Sequence, residues 1–492
     1  MTGSTEFKKR AAGFLYGTGG SLKTQMLRSG FWVGLSSLGS NLLVLARSIV
    51  LARILAPEVF GLMAICLVII RSLDLFTETG YGAALIHRQK GFEEAKDTAF
   101  TLLVLRGLAL TAITVLIAPV AASYYEIPLL DVLVKVIALS FIIGGFYNIN
   151  AVSYQKNLDF RRLTYLELLQ NAANTAAVVA MAFYFRSVWA LVIGHVTASV
   201  LGVVISYMLI PGRPRFRLDL NIAKELFAYG KFITGLTIVV FFTIEMGTFV
   251  IGKVSGMEAL GYYVIAFTLA NLPTSHFSKI VSRIVFPVYS KLQGDMALLR
   301  ETYFKVLRVV SMVAIPASAG LAVLSTEIIE VVYGKNWLPA ADALRVLALF
   351  GCIRAISSLN GYVYNAIGKP GISFYINAIR FAVSAVMIYP MTLWYGITGA
   401  ALTLTSAIAL EFLIGSAYLS RTIGLPLRKA GAGLLRATLL STGMAAALFH
   451  IKDYMDVNVY SLVALVAAGA GMYILFNIRE LFSIFRERSL PA

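Results

Sequence analysis

Charged and polar side chains fall at helical spacing inside stretches of this sequence that are otherwise apolar over roughly 20 residues. Ser36, Ser40 and Arg47 follow one another at intervals of four and seven, which places them on one face of a helix. Arg71, Asp74 and Glu78 stand three and four apart and share a face in the same way. Glu167, Gln170, Asn171 and Asn174 form a third stripe. Glu245, Arg354, Arg380 and Glu411 each lie deep in a later apolar run. A charge at the centre of a bilayer costs about 2.5–3.5 kcal/mol on insertion scales, so such residues face a cavity or a partner. The chemistry they offer is recognition. Arginine gives forked hydrogen bonds to phosphate, and cations outnumber anions across these positions. An anionic substrate, such as one bearing phosphates, fits that balance better than a cationic drug. Asp74, Glu78, Glu245 and Glu411 are candidates for coupling to protons or sodium, and nothing in the sequence selects among them.

Each stripe also has a plainer reading. Arg53 lies about 120° around the helix from Arg47, at 100° per residue, and near its outer end, where it can snorkel to the surface. Arg106 and Arg308, in the cytoplasmic thirds of their helices, can do the same. Arg71, Asp74 and Glu78 form either an ion pair within their own helix or an ionic wall of a cavity. The amides of the third stripe either glue helices together or hydrogen-bond sugar hydroxyls. Both readings stay open.

These residues must be positioned by membrane helices. Of the 492 residues, 59% are hydrophobic and 14% charged, and the mean hydropathy is +0.80. Soluble domains carry about 45–50% apolar and about 25% charged residues. Hydropathy and turn signals predict fourteen helices, near 31–55, 58–80, 98–123, 131–155, 163–185, 188–210, 228–251, 259–287, 301–325, 343–367, 372–395, 397–420, 433–450 and 458–478. The chain thus divides into an N-terminal segment (1–30), a six-helix lobe (31–210), a linker (211–227), a second six-helix lobe (228–420), two further helices (421–478) and a tail (479–492).

The net charge of +17 concentrates in loops such as KNLDFRR (156–162) and PGRPRFR (211–217). The positive-inside rule puts those loops and both termini in the cytoplasm, and it makes nucleic acid an unneeded explanation. No cleavable signal peptide is visible. Cys66 and Cys352 both fall in apolar helices, so no disulfide framework, metal site or cofactor is expected. A membrane polymerase or ligase would need a large outer loop with catalytic polar groups. The longest one here, around 326–342, is short and has no histidine. A transporter, not an enzyme, is the expectation.

The sequence also repeats. APEVFGLMAI (56–65) matches GMEALGYYVI (256–265), DTAF (97–100) matches ETYF (301–304), and NAVSY (150–154) matches NGYVY (360–364). Offsets of 200, 204 and 210 make helices one to six and seven to twelve parallel copies. Two six-helix halves about a central cavity is a transporter architecture.

The stretch VLARILAPEVFGLMAICLVIIRSLDLFTETGYGAALIHRQK (50–90) resembles the start of polysaccharide flippases of the multidrug/oligosaccharidyl-lipid/polysaccharide superfamily. The likeness continues through NLDFRRL (157–163) and PVYSKLQGD (287–295). It is strongest toward exopolysaccharide transporters of the succinoglycan type. The resemblance implies an all-α polytopic protein of a bacterial inner membrane, with two lobes in a V shape. It further implies alternating access that moves an undecaprenyl-pyrophosphate oligosaccharide outward, with a polysaccharide polymerase and a chain-length regulator as partners. Arg47 matches the first-helix arginine that related peptidoglycan-precursor flippases turn toward a cationic cavity. Their helix-eight arginine has no counterpart in AFTLANLP (266–273), so a peptidoglycan precursor is not the expected cargo. On this reading Arg47, Arg71, Arg354 and Arg380 hold the pyrophosphate of the lipid-linked oligosaccharide. Ser36, Ser40, Asn171 and Asn174 meet its sugars, and membrane lipid surrounds its tail. An ion-coupled drug or cation antiporter of the same superfamily is the rival reading.

Overall fold

The computed structural model describes residues 22–77, 81–87, 91–157, 159–230 and 234–486. Among them there is no strand. The long helices are α1 (Leu22–Ile54), α2 (Pro57–Thr77), α3 (Phe92–Tyr125), α4 (Pro128–Gly145), α5 (Phe160–Phe185), α6 (Val188–Leu209), α7 (Thr234–Val254), α8 (Gly256–Lys291), α9 (Met296–Val323), α10 (Ala340–Ala366), α11 (Pro370–Ile423), α12 (Leu427–Lys452) and α13 (Val459–Arg486). Eleven of the described helices are long and apolar enough to cross a bilayer. The chain is a multi-pass membrane protein.

Local chemistry sets the helix ends. Prolines open α2, α4 and α11, where a missing N–H costs nothing. Asp295 caps α9, its Oδ1 accepting from the backbone N–H of Ala297 and Leu298 at 3.0 Å each. The two helices expected at 372–395 and 397–420 run as one 54-residue element broken at Gly396, whose φ of +56° only glycine adopts without strain. The fourth helix stops ten residues before its expected end. Asn148 draws the chain away there, its Nδ2 donating to the carbonyls of Ile210 at 3.3 Å and Gly212 at 3.1 Å. The matching NGYVY stretch lies within α10, which continues unbroken to Ala366.

The helices gather into two compact units. One holds the chain up to Ile54 with Ile69–Gly235, and the other holds Leu55–Val68 with the chain from Leu236 onward. In the first unit α1 packs on α5, α3 on α4, and α6 on both α4 and α5. The basic stretch after α6 is tied down in this unit. Arg215 N donates to Asp97 Oδ1 at 3.1 Å, and Arg217 N donates to Thr101 Oγ1 at 3.0 Å.

In the second unit α10 is central and touches α8, α9 and α11, while α12 lies on α9 and α13 on α12. Its interior includes Tyr289, Leu299, Leu359 and Val363, all fully buried. The connection after α9 is compact as well. It folds into short helical turns and buries Trp337 to 1% exposure, edge-on to Phe60.

Candidate functional site

In the first unit the α1 and α5 stripes meet rung by rung. Thr164 Oγ1 donates to the carbonyl of Trp32 at 3.0 Å, and the Ser36 hydroxyl donates to the Glu167 carboxylate. Asn171 Nδ2 donates to Ser40 Oγ at 2.9 Å, and Arg47 Nη1 donates to Asn174 Oδ1 at 3.1 Å. A lipid-embedded helix pair has little hydrophobic drive to associate, so such bonds hold it in register. Ser36 is buried, and Ser40, Arg47, Asn171 and Asn174 are half-buried. The partner of Arg47 in this rung is a neutral amide, so the rung leaves the positive charge in place. His195 of α6 lies in the electrostatic field of Arg47 and Arg71, a neighbour that the spacing of the stripes did not announce.

The α2 stripe sets Asp74 against the neighbouring helix α3. Asp74 pairs across helices with Arg106 of α3, Nη2 to Oδ1 at 2.6 Å. Arg106 also donates to the Asp74 carbonyl at 2.8 Å and to Thr77 Oγ1 at 3.0 Å. Arg106 is therefore an interhelical clamp. Arg71 is exposed, and Glu78 lies outside the described residues. Arg106→Ala removes three bonds at once and is expected to lower stability by about 1–3 kcal/mol. Asp74→Asn should cost less, because the carboxylate is more than half exposed and the carbonyl bond survives. Thermal unfolding of the detergent-purified protein checks both.

The second unit encloses a cavity of about 250 Å³ lined by α7, α10 and α11. Arg354, Arg380 and Glu411 all border it, with Ser357, Ser373, Asn377 and Ser384. Arg380 Nη1 donates to Glu411 Oε2 at 2.6 Å, and both side chains are largely buried, at 9% and 14% exposure. Ser357 Oγ donates to the other carboxylate oxygen at 3.2 Å. Arg354 Nη1 instead donates to Asn271 Oδ1 at 2.7 Å. Among the described lining residues two guanidinium groups thus stand against one carboxylate, which leaves the wall of the cavity cationic. Among the described residues, Arg380 Nε, Ser373 Oγ and Ser384 Oγ are buried without a hydrogen-bond partner. Donors of this kind are satisfied by bound water or by the oxygens of a ligand.

Glu245 is half-buried on α7, where it accepts from Thr248 Oγ1 at 3.0 Å, and it does not line this cavity. Asn271 is the residue that charge-based reading passed over. It sits in AFTLANLP, and an amide inside a membrane helix was the available signal. No group of three or more potential metal ligands occurs among the described residues.

The model of the family described as "Polysaccharide biosynthesis protein" matches residues 50–342. The chain belongs to the polysaccharide biosynthesis protein family.

A curated relative within reach of the whole chain is the teichuronic acid biosynthesis protein TuaB of Bacillus subtilis. It is 26% identical over 417 residues, covering 82% of this chain and 85% of TuaB. The succinoglycan biosynthesis transport protein ExoT of Rhizobium meliloti is 25% identical over 364 residues, covering 71% of each chain. Among solved structures, the lipid II flippase MurJ in an inward closed conformation superimposes with a TM-score of 0.70 at 18% identity, covering 91% of this chain and 99% of MurJ. This member of the polysaccharide biosynthesis protein family therefore has the MurJ-like all-α polytopic fold that the sequence resemblance implied.

Proposed function

We propose that the protein is a flippase that moves undecaprenyl-pyrophosphate-linked exopolysaccharide repeat units from the cytoplasmic to the periplasmic leaflet by alternating access. The observation that carries this reading is the cationic cavity of the second unit, built from Arg354 and Arg380 against the single carboxylate of Glu411. A pyrophosphate supplies what its unsatisfied donors lack, namely charged acceptor oxygens in number. That TuaB is a teichuronic acid biosynthesis protein and ExoT a succinoglycan biosynthesis transport protein supports the class of cargo. Arg47 and Arg71 add cationic character on the first unit, and the Ser36, Ser40, Asn171 and Asn174 stripe offers hydroxyl and amide partners for sugars.

An anionic head moving outward is favoured by about 2.3 kcal/mol per charge per 100 mV of membrane potential. That drive needs no ion-coupling carboxylate. In this reading the protein lies in the bacterial inner membrane with both termini in the cytoplasm, and a polymerase and a chain-length regulator receive its product. A cationic drug would require the opposite polarity of the cavity.

Arg354 gives the cleanest test, because its 2.7 Å partner is a neutral amide and its removal strands no buried ion. Arg354→Ala in a strain lacking the native gene is expected to slow export at least about tenfold, the worth of one charge-assisted hydrogen bond. Lipid-linked oligosaccharide should accumulate on the cytoplasmic leaflet at matched protein levels, with partial rescue by Arg354→Lys. If the empty strain accumulates none, the flippase reading falls. If only Arg354→Ala behaves as wild type, the cavity is not the head-group site.

A further inference from the structure

The cavity of the second unit is charged at one end only. Its α10 wall presents Arg354, Ser357, Ser358, Gly361 and Asn365, whose spacing puts them on one face of the helix. Its α11 wall presents Ser384, Arg380, Asn377 and Ser373 at intervals of four, three and four, again one face. α10 ends at Ala366 and α11 opens at Pro370, so Asn365 and Ser373 lie at the same end of the cavity. From the guanidinium groups toward that end, the described lining carries hydroxyls and amides and no charge. Asn365 is exposed, so the cavity opens there.

A head group alone does not satisfy this end. Ser373 Oγ is buried without a hydrogen-bond partner, seven residues and about 10 Å of helix from Arg380. Ser384 Oγ, the other orphaned hydroxyl of the lining, stands one turn from Arg380 on the opposite side. A pyrophosphate that engages Arg380 Nε and Ser384 is too short to reach Ser373 as well. The ligand must carry polar groups past its phosphates. Gly361 points the same way. A helical glycine costs stability relative to alanine, and membrane helices ordinarily keep one where another backbone comes close. No other backbone is close here: a Cβ on Gly361 would meet Ser373 Oγ alone, at 4.0 Å. The glycine therefore leaves space directly beside the orphaned hydroxyl. Asn377 adds an acceptor, since its Nδ2 donates to the Ser373 carbonyl at 2.8 Å and leaves Oδ1 over.

We propose that this end of the cavity seats the sugar ring joined directly to the pyrophosphate. The seat depends on the flippase reading and moves that ring out of the first-unit stripe, where Ser36 is bonded to Glu167 and Asn171 to Ser40. A ring hydroxyl both donates and accepts. One accepts from Ser373 Oγ, another donates to Asn377 Oδ1, and the ring lies over the bare backbone of Gly361. At about 250 Å³ the cavity falls just under the usual small-molecule range of about 300–1,000 Å³, so it takes the head group and one ring while later sugars stay outside. The uncharged lining fits an uncharged ring.

The test is native mass spectrometry of the full-length, delipidated protein in detergent, with two probes offered at equal concentration. One is lipid-linked oligosaccharide extracted from a strain that lacks the gene, and the other is undecaprenyl pyrophosphate. The sugar-free probe carries the greater negative charge, so a cationic site alone favours it. Wild type should nevertheless retain the oligosaccharide form by about tenfold or more, the worth of two or three neutral hydrogen bonds. Gly361→Leu fills the space beside Ser373; it should erase that preference and leave retention of undecaprenyl pyrophosphate unchanged. Ser373→Ala should lower the preference about threefold with no fall in melting temperature, because the hydroxyl it removes is buried without a partner. Arg354→Ala should weaken both probes. Equal retention by wild type, or preference for the sugar-free probe, overturns the ring seat without any variant, and the head-group reading survives if Arg354→Ala still weakens both. A monodisperse Gly361→Leu or Ser373→Ala protein that keeps the full preference overturns it too. If wild type retains neither probe, or the strain accumulates no lipid-linked oligosaccharide, the flippase reading falls and the ring seat with it.

Discussion

Arg380→Met is expected to destabilise the protein by about 3–5 kcal/mol and to abolish export, because it leaves Glu411 charged and largely buried with, among the described residues, the Ser357 hydroxyl as its remaining donor. The reciprocal change, Glu411→Leu, should be comparably damaging, since it strands Arg380 beside Arg354. The informative variant carries both. A buried ion pair replaced by apolar residues of similar volume is often neutral or more stable. Stability in the Arg380→Met, Glu411→Leu double variant should therefore return to near the wild-type value, measured by thermal unfolding in detergent. Export should not return, because the cavity has lost the guanidinium of Arg380 and the carboxylate of Glu411 from its described lining. If the double variant regains both stability and export, the pair only braces α11 against itself and the cationic cavity is not a substrate site. If it regains neither, the cost lies in packing and not in charge.

This pair marks the limit of what spacing along a chain can tell. Arg380 and Glu411 were each visible as deep charges in apolar helices, but they stand 31 residues apart on two runs of one element, and it is the break at Gly396 that folds those runs together. Helical periodicity reports which residues share a face and says nothing about which neighbour that face meets. The same limit applies to Arg106. Its position suggested an arginine free to snorkel, whereas it clamps Asp74 and Thr77 of α2.

What periodicity did make legible was the α1 stripe, because Ser36, Ser40 and Arg47 lie on one face whatever they touch. That its partner would be the α5 amide stripe followed from the shared polarity of the two faces only after the fold had placed them side by side. The early end of α4 escaped hydropathy because Asn148 breaks it through bonds to carbonyls 62 and 64 residues away. The polar surroundings of the Arg354 and Arg380 cavity were half readable. Arginine and glutamate stand out in an apolar run, whereas serine and asparagine, such as Ser357 and Ser373 in the lining and Asn271 behind Arg354, are common in membrane helices and carry no such contrast.

The internal repeat supports the second large expectation, that Gly61→Ala and Gly261→Ala will each be severely destabilising, and to a similar degree. The motifs APEVFG and GMEALG are offset by 200 residues, and within the second unit they pack against each other by a pseudo-twofold relation. A Cβ on Gly61 would lie 1.9 Å from the carbonyl oxygen of Met257, and a Cβ on Gly261 would lie 1.9 Å from that of Pro57. Residue 57 of one motif corresponds to residue 257 of the other, so the two contacts are one contact made twice. The obstruction at each is backbone, which cannot rotate away as a side-chain end can, and the helices would have to separate. Overpacking a core by a methylene costs about 1–3 kcal/mol, and these positions should reach or exceed the top of that range. Gly34 and Gly443 serve as controls, since a Cβ there meets nothing within 4 Å. Alanine at those helical sites should be neutral or stabilising by about 0.5–1 kcal/mol. Thermal unfolding of the four single variants decides the matter. If Gly61→Ala and Gly261→Ala unfold with the controls, the two motifs do not approach as closely as the structure has them. If one is tolerated and the other is not, the pseudo-symmetry fails at the contact where the sequence repeat is strongest.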